Sequence, residues 1–160
     1  MHPLAHYSLK DFDKYNCLKL SVSYYFLLAY LLKGYVVGLV SFSNFNDKLS
    51  VIRWFYPDSE AFYLSLVIGL PGWFFAYLLL QRRPEGSSIA KRFWPKVMLI
   101  ATVLVSLNVA FSWGLYWWLE LGDKSSLLGQ SMIGVVLLWY CKQHKRAKIN
   151  RTEFPEMIED

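Results

Sequence analysis

One ammonium group stands where charge is expensive. Residues 20–42 read LSVSYYFLLAYLLKGYVVGLVSF, a run of apolar, aromatic and small side chains interrupted by a single charge, Lys33. As a helix the run extends about 34 Å, enough to cross a hydrocarbon core of ~30 Å. A charge near the centre of such a core costs on the order of 2.5–3.5 kcal/mol, so Lys33 must face protein, water or the membrane edge. Three further apolar runs, 62–80, 95–119 and 127–141, carry polar groups able to receive it. With each run's midpoint taken as the membrane centre, Lys33 lies ~3 Å to one side, Asn108 and Ser112 ~2 and ~8 Å, Gln130 ~6 Å and Ser65 ~9 Å, all toward the same face. Asn108 and Ser112, spaced i, i+4, share one side of their helix. These five residues form a candidate intramembrane polar cluster in which the amides of Asn108 and Gln130 hold Lys33. Two other outcomes stay open: Lys33 snorkels to the nearer edge on its long stem, or it serves in moving a solute.

The elements that must position this cluster follow from the four runs. They predict an all-α polytopic membrane protein, one membrane domain over residues 1–160, with four transmembrane helices and a short interfacial segment between the first and second. At 55% hydrophobic residues in a chain of 160, a water-soluble globule would lack the polar surface to cover its apolar runs. Residues 1–19 form a polar lead-in where Ser8 or Asp11 can cap a helical turn, and the piece either lies at the interface or stays a partly ordered tail. Leu49, Val51, Ile52, Trp54, Phe55 and Tyr56 suit an interfacial helix stopped by Pro57. Pro71 predicts a kink in the second span. QRRPEGSSIAKRF reads as a loop, Pro95 fits the first turn of the third span, and residues 120–126 make a tight turn. A basic tail, KQHKRAKINR, and an acidic end fill residues 142–160.

Charge sets the orientation. The lead-in, the second connector with Lys96, and the tail hold three, five and five Lys/Arg, while the first and third connectors hold two and one. The positive-inside rule then places both termini in the cytoplasm. A net charge of +5 is compatible with nucleic acid, but the basic residues cluster at span ends, so anionic lipid headgroups at the basic loop and tail are the expected partner and nucleic acid is not. Cys17 and Cys141 are too few for a disulfide framework, and neither has metal-ligand spacing around it. The histidines (His2, His6, His144) lie outside the apolar runs. The first run starts late and is too long for a signal h-region, so it is expected to remain as an anchor.

Small residues predict helix packing. Gly34 and Gly38, then Gly69, Gly72 and Ala76, then Ser106, Ala110 and Gly114, each line a face where backbones can approach closely. Packing within the chain is the first expectation, and a homo-oligomer or a membrane-protein partner the second. The stripe on the third helix lies nearly opposite Asn108 and Ser112, which predicts a central helix with neighbours on both sides.

Three stretches carry a resemblance: YSLKDFDKYNCLK (residues 7–19), Phe55-Tyr56-Pro57-Asp58 and Gly69-Leu70-Pro71. In their order and spacing the chain resembles the YfeZ-like family of uncharacterised inner-membrane proteins of Gram-negative bacteria. It departs from the family pattern at Asn16-Cys17, at the missing proline after Leu18-Lys19, and at Lys33, where the family tends to have arginine. The resemblance implies an inner-membrane location and no established activity. P-loop, GxGxxG, HExxH and nucleophile-elbow patterns are absent, and so are carboxylates inside the apolar runs. The expectation is a noncatalytic accessory or interaction subunit without a cofactor. A channel or transporter for small solutes or anions built around Lys33, and a membrane effector or immunity protein, are the alternatives.

Overall fold

Helix starts follow the polar residues that precede each apolar run, and helix faces follow the small ones. The computed structural model describes residues 7–15, 17–44 and 47–155, and every regular element among them is helical. His2, His6 and Asn16 lie outside the described residues. The long elements are α1 (Val22–Leu31), α2 (Lys33–Ser43), α4 (Ser59–Leu80), α6 (Val97–Leu119) and α7 (Lys124–Gln143); the short ones are α3 (Ser50–Phe55), α5 (Ser88–Phe93) and α8 (Lys145–Thr152). Ser87 caps α5 by accepting from the Ala90 N–H, and Asp123 caps α7 by accepting from the Ser126 N–H. A Ser8–Asp11 capping box closes the turn Leu9–Asp11 in the lead-in.

Two helical stretches, Ser59–Leu80 and Ser88–Leu119, are long and apolar enough to cross a membrane, and α1 with α2 makes a third if the bent pair is one span. Here the structure differs from the single unbroken helix expected over residues 20–42. The run 20–42 is not one helix: it breaks at Leu32 (φ −98°, ψ 22°), and α1 and α2 meet at 83°. The signal was Lys33-Gly34. Glycine weakens a helix interior by ~1 kcal/mol, and at this site the absent side chain lets α2 press against α4, since a Cβ on Gly34 would lie 2.5 Å from Ser65 Oγ. α7 falls outside the apolar set because Ser125, Ser126, Gln130 and Ser131 occupy its first half. The segment expected at the interface is helical as α3, and Pro71 sits inside an otherwise continuous α4.

The expected loop 81–93 is half helix. α5 starts at Ser88 and runs through a 3-10 turn at Trp94–Lys96 into α6, because Pro95 in that first turn needs no N–H partner. Nor are residues 142–160 simply a tail. α8 buries Ala147 and Asn150, and Phe154 packs edge-on against Trp94 at 6.1 Å. The lead-in, the 81–87 loop and α8 therefore meet at one end of the bundle, the terminus end; α3 and the 120–123 turn lie at the other, the connector end.

The core fills the terminus half. Tyr24 and Leu27 of α1, Phe75 of α4, Trp94, and Val97 and Ala101 of α6 are almost wholly excluded from solvent. α6 turns Val97, Ala101, Val105 and Asn108 toward α1, α4 and α7. Its small stripe faces outward instead: Ser106 and Ala110 are exposed and nothing approaches Gly114. The other small faces do pack within the chain. Gly38 sits on Phe62, Gly69 on Tyr35 and the Leu31 carbonyl, Gly72 on Leu31 and Leu32, and Ala76 is buried. Gly134 is a close approach that sequence spacing missed: a Cβ there would lie 2.7 Å from Tyr30 Oη.

Candidate functional site: a blind vestibule above Lys33

Breaking the first apolar run places Lys33 at the start of α2, at the elbow of the bend. Its ammonium donates to Asn108 Oδ1 on α6 (3.0 Å) and to Gln130 Oε1 on α7 (2.6 Å). It also stands 5.2 Å from the centre of the Tyr30 ring, within cation–π range. An ammonium has three N–H donors, and the third has no protein acceptor among the described residues. Lys33 has no carboxylate partner either, since the one ion pair found there joins Arg146 to Asp11 at 3.2 Å. Gln130 is itself oriented: its Nε2 donates to Ser126 Oγ at 3.1 Å, one turn earlier on α7.

Above Lys33 the helices separate. α2 leans on α3 and α4, whereas α1 is packed among α4, α6 and α7. The wedge this leaves is a cavity of about 270 Å³ with Lys33 on its floor. Ser65 and Ile68 of α4, Ser112 and Leu115 of α6, and Leu127 and Gln130 of α7 form its walls, and residues 54–57 with Leu121, Gly122 and Asp123 form its mouth. The Gly122 N–H donates to Asp58 Oδ2 (3.2 Å), tying the α6–α7 turn to the start of α4. That turn uses left-handed backbone at Glu120 (φ 54°) and Gly122 (φ 92°).

Of the five residues the sequence grouped, three are hydrogen-bonded together and two are not. Lys33, Asn108 and Gln130 make the bonds above. Ser112 and Ser65 line the same cavity without reaching Lys33, and Ser65 Oγ donates to the Phe62 carbonyl at 2.7 Å. Tyr56, in the connector, joins this wall: burial pushes its phenol above the usual range, and a hydrogen bond with Ser65 pulls it partly back. The arrangement presents one positive charge at the base of a mainly apolar chamber.

A second polar cluster, at the terminus end, gave no signal in the sequence. Arg82 is buried, donating from Nη1 to the Leu18 carbonyl (3.1 Å) and from Nη2 to the Glu153 carbonyl (3.4 Å), with its guanidinium 5.4 Å from the Trp94 ring. Trp94 Nε1 donates to the Asn150 carbonyl at 2.8 Å, and the Asn150 side chain accepts from Ser21 N–H (2.9 Å) while donating to the Leu18 carbonyl (2.9 Å). Burial pulls Arg82 below the ordinary guanidinium range, and nearby Cys17, Asp13 and Glu153 pull the other way. Ser21 Oγ also lies 3.3 Å from His144 Nδ1 and 2.9 Å from Ser23 Oγ, which donates to Cys141 Sγ at 3.5 Å. Ser21, Ser23 and Cys141 are almost wholly excluded from solvent, and His144 at the end of this chain of polar atoms is half-buried. Asn150 and Arg82 looked like ordinary loop and tail residues; their partners are backbone atoms more than 60 positions away.

Fold and cavity together define an all-helical protein, among the described residues, with helices long and apolar enough to cross a membrane and a mainly apolar chamber that has Lys33 in its lining. The comparisons give it a family. Residues 7–151 match the family model described as protein of unknown function, DUF2919, and the chain belongs to that family. It is 26% identical over 131 residues to the inner membrane protein YfeZ of Escherichia coli (strain K12), covering 80% of this chain and 83% of that protein. No solved structure matches. Two of the stretches that carried the resemblance fall on the site: Tyr56 and Pro57 at the cavity mouth, and Gly69 against the α1–α2 elbow.

Proposed function

We propose that this chain is a noncatalytic protein of a bacterial inner membrane, crossing it four times with both termini in the cytoplasm, and that it serves as an accessory or interaction subunit of a membrane assembly. The observation that carries this reading is that the cavity is blind. A conduit would have to continue past Lys33, and the space beyond is filled by Tyr24, Leu27, Phe75, Val97 and Ala101. The three serines of the lining, Ser65, Ser112 and Ser126, have no His or Cys beside them in it.

Four crossings are supported by the meeting of the lead-in, the 81–87 loop and α8 at one end, which requires an even number of passes. α7, at 20 residues, reaches about 30 Å and supplies the last. The bent pair supplies the first: shared equally, its bend leaves a projection of ~24 Å, which a thinned bilayer accommodates. Exposed Arg83, Lys91, Arg92, Lys96, Lys142, Lys145 and Lys148 at the terminus end fit the cytoplasmic side and anionic headgroups there. The inner-membrane location rests on the likeness to YfeZ.

Three measurements test this. Reporter fusions at residue 86 and at the carboxyl terminus should both report cytoplasm. Purified protein in liposomes should carry no anion or solute flux, and crosslinking in native membranes should capture a protein partner. Flux that Lys33→Gln abolishes would replace this reading with the channel.

A further inference from the structure

We infer that the vestibule is a binding site for a small monoanion with an apolar body, of the monocarboxylate class, whose charged head is received by Lys33. This rests on the reading that the cavity is blind and opens at the connector end. Four observations select the ligand.

The first is the spare valence of Lys33. Two of its donors are fixed by Asn108 and Gln130, the third has no protein acceptor among the described residues, and no carboxylate neutralises the charge. A buried cation in that state gains most from an anion that brings both an acceptor and a charge. The second is the wall. Ala61, Ile68, Leu115, Leu121 and Leu127 surround the approach, so a strongly hydrated inorganic ion would lose water without compensation, whereas an alkyl body is buried favourably. Size is the third. At about 270 Å³ the chamber sits at the lower edge of the ~300–1,000 Å³ range of small-molecule pockets. The fourth is the rim. Asp123 lines the mouth seven residues before Gln130 on the same helix, about 10 Å away at helical rise. A second negative charge at the far end of the ligand would meet that carboxylate, so the site discriminates against dianions. Asp123 is fixed there, its Oδ2 accepting from the Ser126 N–H at 2.9 Å.

A free carboxylate from solution and the anionic head of a lipid share this chemistry, and the test separates them. The full chain is reconstituted in discs of zwitterionic lipid, and binding of labelled hexanoate is measured by equilibrium dialysis against empty discs. Hexanoate should bind saturably, one per chain, with hexan-1-ol and hexylammonium at least about tenfold weaker, because neither pairs with an ammonium. Adipate, the six-carbon dicarboxylate, should also be weaker, and Asp123→Asn should raise its affinity, since Asn caps a helix as well as Asp. Lys33→Met should lower hexanoate affinity about tenfold or more, and Lys33→Arg should restore most of it. Leu115→Trp, which fills the chamber without touching the charge, provides the same loss if Lys33→Met does not fold. Competition by phosphatidylglycerol added to the discs assigns the natural occupant to lipid; indifference to it assigns a soluble anion.

Equal binding of hexanoate and hexan-1-ol, undiminished binding in a folded Lys33→Met, or no hexanoate bound above empty discs would overturn the inference. None of those results touches the accessory reading, which flux through liposomes overturns instead.

Discussion

Two cations inside this molecule, Arg82 buried and Lys33 half-buried, are solvated in opposite ways. Arg82 at the terminus end is buried, donates to two backbone carbonyls, and lies 5.4 Å from the Trp94 ring. Lys33 at the elbow is held by two side-chain amides and forms the floor of a chamber. Neither has a carboxylate partner among the described residues. Carbonyls fixed by the chain make a closed site, and that site joins the lead-in, the α4 end and the segment after α8. Side-chain amides with a cavity beside them make an open one. The first is architecture; the second has capacity for something brought from outside.

Four substitutions break or sharpen that contrast. Arg82→Met should have the largest effect, a loss of about 3 kcal/mol, because two charge-assisted bonds and a cation–π contact with Trp94 vanish from a buried site. Unfolding in detergent followed by circular dichroism measures it, and a loss under about 1 kcal/mol would remove Arg82 from the architecture. Gly34→Ala comes next at about 1–2 kcal/mol, since its Cβ would meet Ser65 Oγ at 2.5 Å. Adding Ser65→Ala should return most of that loss, and additive losses in the double variant would show that the contact at the elbow is not the cause.

Lys33→Met should change stability by less than about 1 kcal/mol in either direction, because a buried charge and its desolvation are removed together. A loss as large as that of Arg82→Met would make both cations structural and end the contrast. The smallest effect belongs to Gly114→Leu, within about 0.5 kcal/mol, because nothing lies near that position. Sedimentation in detergent should show the same mass for this variant as for the parent; a shift to a smaller particle would mark the outward stripe of α6 as a contact between copies.

How much of this was legible beforehand depended on how far apart the interacting atoms lie in sequence and what kind they are. Lys33, Asn108 and Gln130 were found by depth arithmetic because helical rise is fixed, so a polar group's height follows from its count along an apolar run. Ser65 and Ser112, grouped with them by the same arithmetic, line the cavity without bonding to Lys33. The short helix α3 could be read from its aromatic pattern and Pro57. Arg82, Asn150 and Trp94 escaped notice because each pairs with backbone atoms, and backbone atoms carry no sequence signature. The stripe at Ser106, Ala110 and Gly114 misled for a related reason: small residues permit close approach without naming a neighbour.

The order of residues by itself determined that this chain forms long apolar helices, which ends of them carry positive charge, and that one ammonium lies within the first. These follow from local composition and from a rise per residue that no context changes. Only the tertiary structure decided that the first run bends by 83° at Leu32, that the wedge so opened becomes a blind chamber over Lys33, and that the basic segment after α7 folds back to seal the other end. A bend, a cavity and a docked helix are relations between surfaces that meet across more than 60 residues of chain, and their energies exist only once the helices are packed.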